Sequence, residues 1–248
     1  TGEASTLSNA EHHRVIEVCI EQAAGRVPVI AGCGSNDTNN AILHLNFSKK
    51  SGAAAGLVVA PYYNRPNQEG IYAHFEAMTK KNDLPIVLYN VPARTVTDIK
   101  PETVARLAQL PTVIGIKDAS GDMPRVTDHR LACGPDFCLL SGVDEQSLAF
   151  NAAGGRGCIS VTANVAPKLC AEFQAACASG DYNLARDLND KLYPLHLALF
   201  SDASPGPIKY ALSRVIEGFP TELRLPMTPP SEASRRQVDA ALENAGLI

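Results

Sequence analysis

The chain has 248 residues, 45% hydrophobic and 19% charged, with a formal net charge of -4. That balance fits a globular domain able to bury a sizeable core, and its acidity argues against nucleic acid as the main partner while leaving small anionic substrates open. No apolar run is long enough to span a membrane as a helix, and no charged-then-apolar leader opens the sequence, so a cytoplasmic protein is expected.

In chain order, Ala10–Ala24 carries Val15, Ile16, Cys19, Ile20 and Ala23 at the spacing of one helix face. His12 and His13 lie near its start and are expected on its polar side. The β-branched run Val27–Ala31 predicts a strand, followed by Gly32-Cys33-Gly34, which lacks the rest of a dinucleotide fingerprint. Further strands are predicted over Gly56–Ala60, Pro85–Tyr89, Val113–Lys117, Phe137–Ser141 and Gly157–Val161. Between them, helices are predicted over Ile71–Lys81, Pro101–Leu110, Glu145–Ala153 and Pro167–Ala178. Pro101 and Glu102 suit a helical first turn. After Val161 the pattern is wholly helical, over Pro167–Ala178, Tyr182–Leu192, Pro194–Phe200, Pro207–Val215 and Glu232–Ala245.

Alternating apolar strands and helices imply parallel pairing with both faces covered. A strand spacing of about 25 residues predicts an α/β fold of the TIM (β/α)8 barrel type. Residues 1–180 are expected to form the barrel and residues 181–248 its last helix and a C-terminal helical appendage. Six strands are two short of closure, so the first strand–helix–strand is expected ahead of Thr1. The seven cysteines are scattered without a CxxC pair, which predicts reduced, mostly buried thiols and argues against zinc.

In a parallel barrel, chemistry collects where strands end. Those ends bring forward Pro61-Tyr62-Tyr63-Asn64, Tyr89-Asn90-Val91-Pro92, Lys117-Asp118, Ser141-Gly142 and the stretch from Ser160 to Asn164. A desolvated Lys117 would hold more free amine at neutral pH, and a free amine adds to a ketone or aldehyde to give a Schiff base. The competing reading is a rim lysine paired with Asp118 or another carboxylate. Tyr89 could shuttle protons, or simply satisfy the backbone. Arg94 offers a planar fork for a carboxylate, or is a solvated loop residue.

Taken together, Thr1-Gly2-Glu3, Ala60-Pro61-Tyr62-Tyr63-Asn64-Arg65-Pro66, Leu88-Tyr89-Asn90-Val91-Pro92-Ala93-Arg94-Thr95, Gly115-Ile116-Lys117-Asp118-Ala119, Leu140-Ser141-Gly142 and Ile159-Ser160-Val161-Thr162-Ala163-Asn164 resemble the dihydrodipicolinate synthase family of the lysine and diaminopimelate pathway, across the whole chain. The resemblance implies that Lys117 forms a Schiff base with pyruvate, whose enamine attacks L-aspartate 4-semialdehyde. It implies that Tyr89 relays protons, joined by Tyr63 from a neighbouring subunit. It further implies that Arg94 holds the semialdehyde carboxylate, Thr1 holds the pyruvate carboxylate, and Gly142 and the Ile159 carbonyl line the pocket. A homo-oligomer, a dimer of dimers, is implied, with no cofactor and no metal. The alternatives are another pyruvate aldolase acting on a sugar acid, or an inactive truncated scaffold.

The sequence departs from the family pattern at Val143, where Asp is frequent, and at Ser204, where Asn is usual. The family's lysine effector site is matched by His12, Asn36 and Tyr62, but Asn9 and Asn40 stand where sensitive relatives have His and an acid. An amide cannot pair an ammonium as a carboxylate does. Millimolar L-lysine is therefore expected to leave more than half of the activity in a steady-state assay, and inhibition to half would overturn that expectation.

Overall fold

Ser8 opens the first long helix. Its hydroxyl accepts from the Glu11 N–H at 3.3 Å, and the Glu11 carboxylate accepts from the Ser8 N–H at 2.8 Å. This capping box fixes the start of α1 (Asn9–Ala23). The computed structural model describes residues 1–248, and α1 belongs to a first unit made of residues 8–142 and 153–156. There follow β1 (Ile30–Gly32), α2 (Thr38–Ser51), β2 (Ala55–Val59), α3 (Gln68–Lys81), β3 (Ile86–Asn90), the single turn α4 (Pro92–Thr95), α5 (Pro101–Leu107), β4 (Val113–Asp118), α6 (Pro124–Cys133) and β5 (Cys138–Ser141). The five strands pair in sequence order and all are parallel.

Packing explains these elements. Ile71, Phe75 and Met78 recur on one face of α3 and are fully buried. Ile86, Leu88 and Ile116 fill the centre of the sheet. Between β3 and β4 the register steps from Ile86↔Val113 to Val87↔Gly115. Ile114 is thus the extra residue of a bulge, which leaves it 41% exposed. Gly115 then lies so close to β5 that a Cβ there would sit 2.3 Å from the Cys138 carbonyl oxygen.

The second unit comprises residues 1–7, 143–152 and 157–248. It contains α7 (Ser147–Ala152), β6 (Gly157–Cys158), α8 (Pro167–Ser179), α9 (Tyr182–Ala198), α10 (Gly206–Val215) and α11 (Glu232–Ala245). Phe173, Leu192, Leu195, Leu199 and Leu242 form its core.

Several expectations need correction. The strand predicted over Gly157–Val161 stops at Cys158, because the Asp144 carboxylate takes the N–H groups of Val161 and Thr162 and bends the chain into a 3-10 turn at Thr162–Asn164. The helices predicted over Tyr182–Leu192 and Pro194–Phe200 are one, α9, because Pro194 lies on its exposed side. The stripe expected on α1 is not a single buried face, since only Ile16 is buried, while Val15 and Cys19 are exposed. All seven thiols are free, and three are buried: Cys33, Cys170 and Cys177. Helices α2 and α6 were not predicted, because their buried faces include His44 and Ser48, and His129. No helix is long and apolar enough to cross a membrane.

α2 and α3 meet at a hydrogen bond of 2.8 Å between the Thr38 hydroxyl and His74 Nδ1. Burial pushes the His74 pKa down to about 4, with only a small opposing pull from Asp37. Unfolded His74 protonates near 6.5, so its contribution to stability is complete above that pH and is lost as pH falls from 6.5 towards 4. Thermal unfolding followed by circular dichroism should show a loss on the order of 2 kcal/mol between pH 7 and 4.5 from this group, and His74→Gln should reduce the slope.

Candidate active site

Lys117 is the penultimate residue of β4. Its register partners are Tyr89 on β3 and Leu140 on β5, while Asp118 pairs with Asn90 and Ser141. The strand pattern therefore delivers Lys117 and Tyr89 side by side. Lys117 is 9% exposed, and its Nζ lies 4.2 Å from the centroid of the Tyr89 ring. Burial disfavours the ammonium, whereas the ring face favours it. These opposed effects suit a group that must change between amine and cation.

Gly142 closes one side of this place. Its N–H donates to the Asp118 carbonyl at 2.7 Å, and a Cβ on it would come within 3.0 Å of Lys117 Cε and 2.7 Å of Ala119 Cβ. The carboxylate of Asp118 is engaged elsewhere. Oδ1 accepts from the Ser120 N–H at 2.7 Å, and Oδ2 faces His129 Nε2 at 3.4 Å. Burial would raise this carboxyl, but His129 and Ser120 prevail and hold it below its ordinary value.

Burial raises the Tyr89 phenol above its ordinary value, and the charge of Arg94 opposes the shift only in part. A protonated phenol at neutral pH is the form that can donate. Arg94 itself projects from α4 and is exposed. Next to Tyr89, the fully buried Asn90 donates Nδ2–H to Asp98 Oδ1 at 2.9 Å and accepts the Ile99 N–H at 3.0 Å. Asp98 in turn accepts both arms of the Arg125 guanidinium at 2.7 and 2.8 Å. Burial works against the Asp98 charge, but Arg125 and Asn90 outweigh it and the carboxyl is lowered. Asp98, Arg125 and His129 were missed from sequence. Asp98 precedes α5 while Arg125 and His129 share α6, and isolated titratable residues carry no local signal.

Tyr63 stands apart, 93% exposed, with φ of +69°; Arg65 has φ of +46°. Left-handed backbone is costly for such residues, so this turn spends energy to present an aromatic ring to the outside. The Asn64 side chain ties the turn to the Asn36 carbonyl at 2.9 Å, which links the segments carrying Tyr62 and Asn36. His12 and His13 are not a plain polar face. His12 Nε2 lies 2.7 Å from the Gly32 carbonyl, and His13 stacks on Phe47 and meets His44 at 3.2 Å.

Thr1 and Ile159 belong to the second unit, where Thr1 is exposed and Ile159 half-buried. The loop after Ile159 is held by Asp144, which accepts from the Ser160 hydroxyl, from Val161 N–H at 2.8 Å and from Thr162 N–H at 3.3 Å. The Thr162 hydroxyl pairs with His196 Nδ1 at 2.7 Å. A cavity of about 230 Å³ opens between Asp144, Ser160, Cys158, Cys170, Phe173 and His196, and no predicted site residue lines it.

Residues 1–245 match the sequence profile of the Dihydrodipicolinate synthetase family. The chain is 72% identical over 250 residues to the 4-hydroxy-tetrahydrodipicolinate synthase of Novosphingobium aromaticivorans, covering 100% of this chain and 84% of that relative. Among solved structures, it is similar to the chloride-inhibited dihydrodipicolinate synthase from Acinetobacter baumannii complexed with pyruvate, with a TM-score of 0.96, 44% identity and coverage of 100% and 84%. It is similar also to the enzyme from Cyanidioschyzon merolae with lysine bound, with a TM-score of 0.95, 36% identity and coverage of 100% and 84%.

Gly142→Ala should test the clearance beside Lys117. The added methyl must displace either the Ala119 backbone or the lysine stem. Trapping of a small ketone on Lys117 by borohydride should slow by roughly tenfold to a hundredfold, with the protein still melting cooperatively. An unchanged rate would show that the stem does not depend on that space.

Proposed function

The chain belongs to the dihydrodipicolinate synthetase family, and from this we infer that it is a Schiff-base lyase condensing pyruvate with L-aspartate 4-semialdehyde to 4-hydroxy-tetrahydrodipicolinate. One observation carries the mechanism: a nearly buried Lys117 amine at a strand end, under the ring of Tyr89 and beside the bare backbone of Gly142.

Lys117 Nζ attacks the pyruvate ketone carbon, and the carbonyl oxygen leaves as water to give an imine. Loss of a methyl proton gives the enamine, whose carbon adds to the aldehyde of the semialdehyde. The semialdehyde amine then displaces Lys117 from the imine carbon, closing the ring and regenerating the free lysine. Each stage moves a proton, and the protonated phenol of Tyr89 is placed to carry it.

The remaining roles follow the family resemblance. Tyr63 completes the relay in a neighbouring subunit, a reading supported by its exposure on a strained turn. Arg94, exposed and charged, takes the semialdehyde carboxylate. Thr1 takes the pyruvate carboxylate, and Gly142 and the Ile159 carbonyl line the pocket. His12, Asn36 and Tyr62 form the counterpart of the effector site. The parallel strands are part of a (β/α)8 barrel carried by residues 1–180, with residues 181–248 as last helix and appendage. The enzyme works in the cytoplasm as a dimer of dimers.

Incubation with pyruvate and borohydride, followed by peptide mass analysis, should place one carboxyethyl group on Lys117. Lys117→Ala should abolish the adduct and lower kcat by at least about a thousandfold. An adduct on another lysine, or none on a folded protein, would overturn the mechanism.

A further inference from the structure

This inference rests on the reading in which Arg94 takes the carboxylate of the semialdehyde. Arg94 lies on α4, a single helical turn, and one turn is too short to hold itself in water. Its place must be set by what closes the loop around it. Val96, straight after α4, has φ of +59° and is exposed, a costly conformation for a β-branched residue. Strain of that kind persists only where neighbouring contacts over-determine the backbone. Those contacts are present. The buried Thr95 hydroxyl reaches the Val91 and Thr97 carbonyls at 3.1 and 2.8 Å. The Asn90 side chain joins the ends of the loop, donating to Asp98 Oδ1 at 2.9 Å and accepting from the Ile99 N–H at 3.0 Å. Gln68 Nε2 donates to the Asp98 carbonyl at 2.8 Å. Arg125 then grips the Asp98 carboxylate from α6 with both arms, at 2.7 and 2.8 Å, and its side chain is only 13% exposed.

We infer that Asp98, gripped by Arg125, is a positioning residue for Arg94: it closes residues 91–97 onto the end of β3 and so holds the Arg94 fork ready for the second substrate. The Arg94 charge is felt at the Tyr89 phenol, so the closed loop keeps it close to the strand end at which the imine forms. Lys100 Nζ stands 4.0 Å from Asp98 Oδ2, too far to take over from the Arg125 fork. Without the Asp98 carboxylate, the Ile99 N–H would still meet Asn90, so the loop loosens while β3 keeps its end. The consequence is selective. Pyruvate adds to Lys117 before the second substrate is needed and does not use the Arg94 fork. A loosened fork must be reordered each time the semialdehyde binds, which costs affinity for that substrate alone.

The test separates the pyruvate step from the condensation in the full-length protein. With pyruvate saturating, Asp98→Ala should raise KM for L-aspartate 4-semialdehyde by roughly tenfold, while borohydride still traps pyruvate on Lys117 at the wild-type rate. Arg94→Ala should raise the same KM, and adding Asp98→Ala to it should change nothing further, because Asp98 acts through Arg94. Arg125→Lys keeps the charge but not the fork and should also raise KM. It decides the matter if Asp98→Ala does not melt cooperatively. A purely structural role would slow trapping as much as condensation, so a parallel loss overturns the inference. So does an unmoved KM in folded Asp98→Ala or Arg125→Lys, or a double variant worse than Arg94→Ala. An unmoved KM in Arg94→Ala instead overturns the role of Arg94, and absence of any Lys117 adduct in the wild-type protein overturns the Schiff-base reading. The inference falls with either.

Discussion

The constraint on which the site depends is the burial of an amine. Lys117 is 9% exposed at the end of an apolar strand, and a buried ammonium must recover what it loses in hydration. The Tyr89 ring at 4.2 Å offers part of that recovery. The surroundings of β4 therefore place an aromatic face near the amine.

Polar contacts run from the site into the helices. Asn90 and Asp118 are register partners at the ends of β3 and β4. Asn90 leads to Asp98 and Arg125, and Asp118 leads to Ser120 and His129. Each contact joins a strand end to a segment outside the sheet, so the positions of Tyr89 and Lys117 depend on how α6 seats. A half-satisfied polar network of this kind is costly in a low dielectric. Arg125 meets that demand at Asp98 with both guanidinium arms, whereas His129 approaches Asp118 at 3.4 Å without a hydrogen bond.

The second unit follows a similar rule at a different place. Asp144 gathers one hydroxyl and two backbone N–H groups and turns the chain immediately after Ile159. In the first unit Asp118 likewise takes the Ser120 N–H just past the end of β4. Tyr63 is the contrary case, since its turn stores left-handed strain to display a side chain that nothing in its own chain covers.

The sequence by itself determined the rhythm of strands and helices, the strand ends worth inspecting and the identity of Lys117, Tyr89 and Arg94 as the residues to follow. Apolar runs and helical periods are local, and a residue's neighbours in the chain report on them directly. Tertiary structure decided the rest. Helices α2 and α6 escaped notice because imidazole and hydroxyl groups occupy their buried faces, where a hydropathy pattern expects apolar residues. The bulge at Ile114, the continuation of α9 through Pro194 and the short β6 depend on which side of each element meets solvent or a distant carboxylate. Asp98, Arg125 and His129 look like ordinary charged or titratable residues until folding places them behind Asn90 and Asp118. Which carboxylate a donor meets is a property of packing, and no spacing along the chain encodes it.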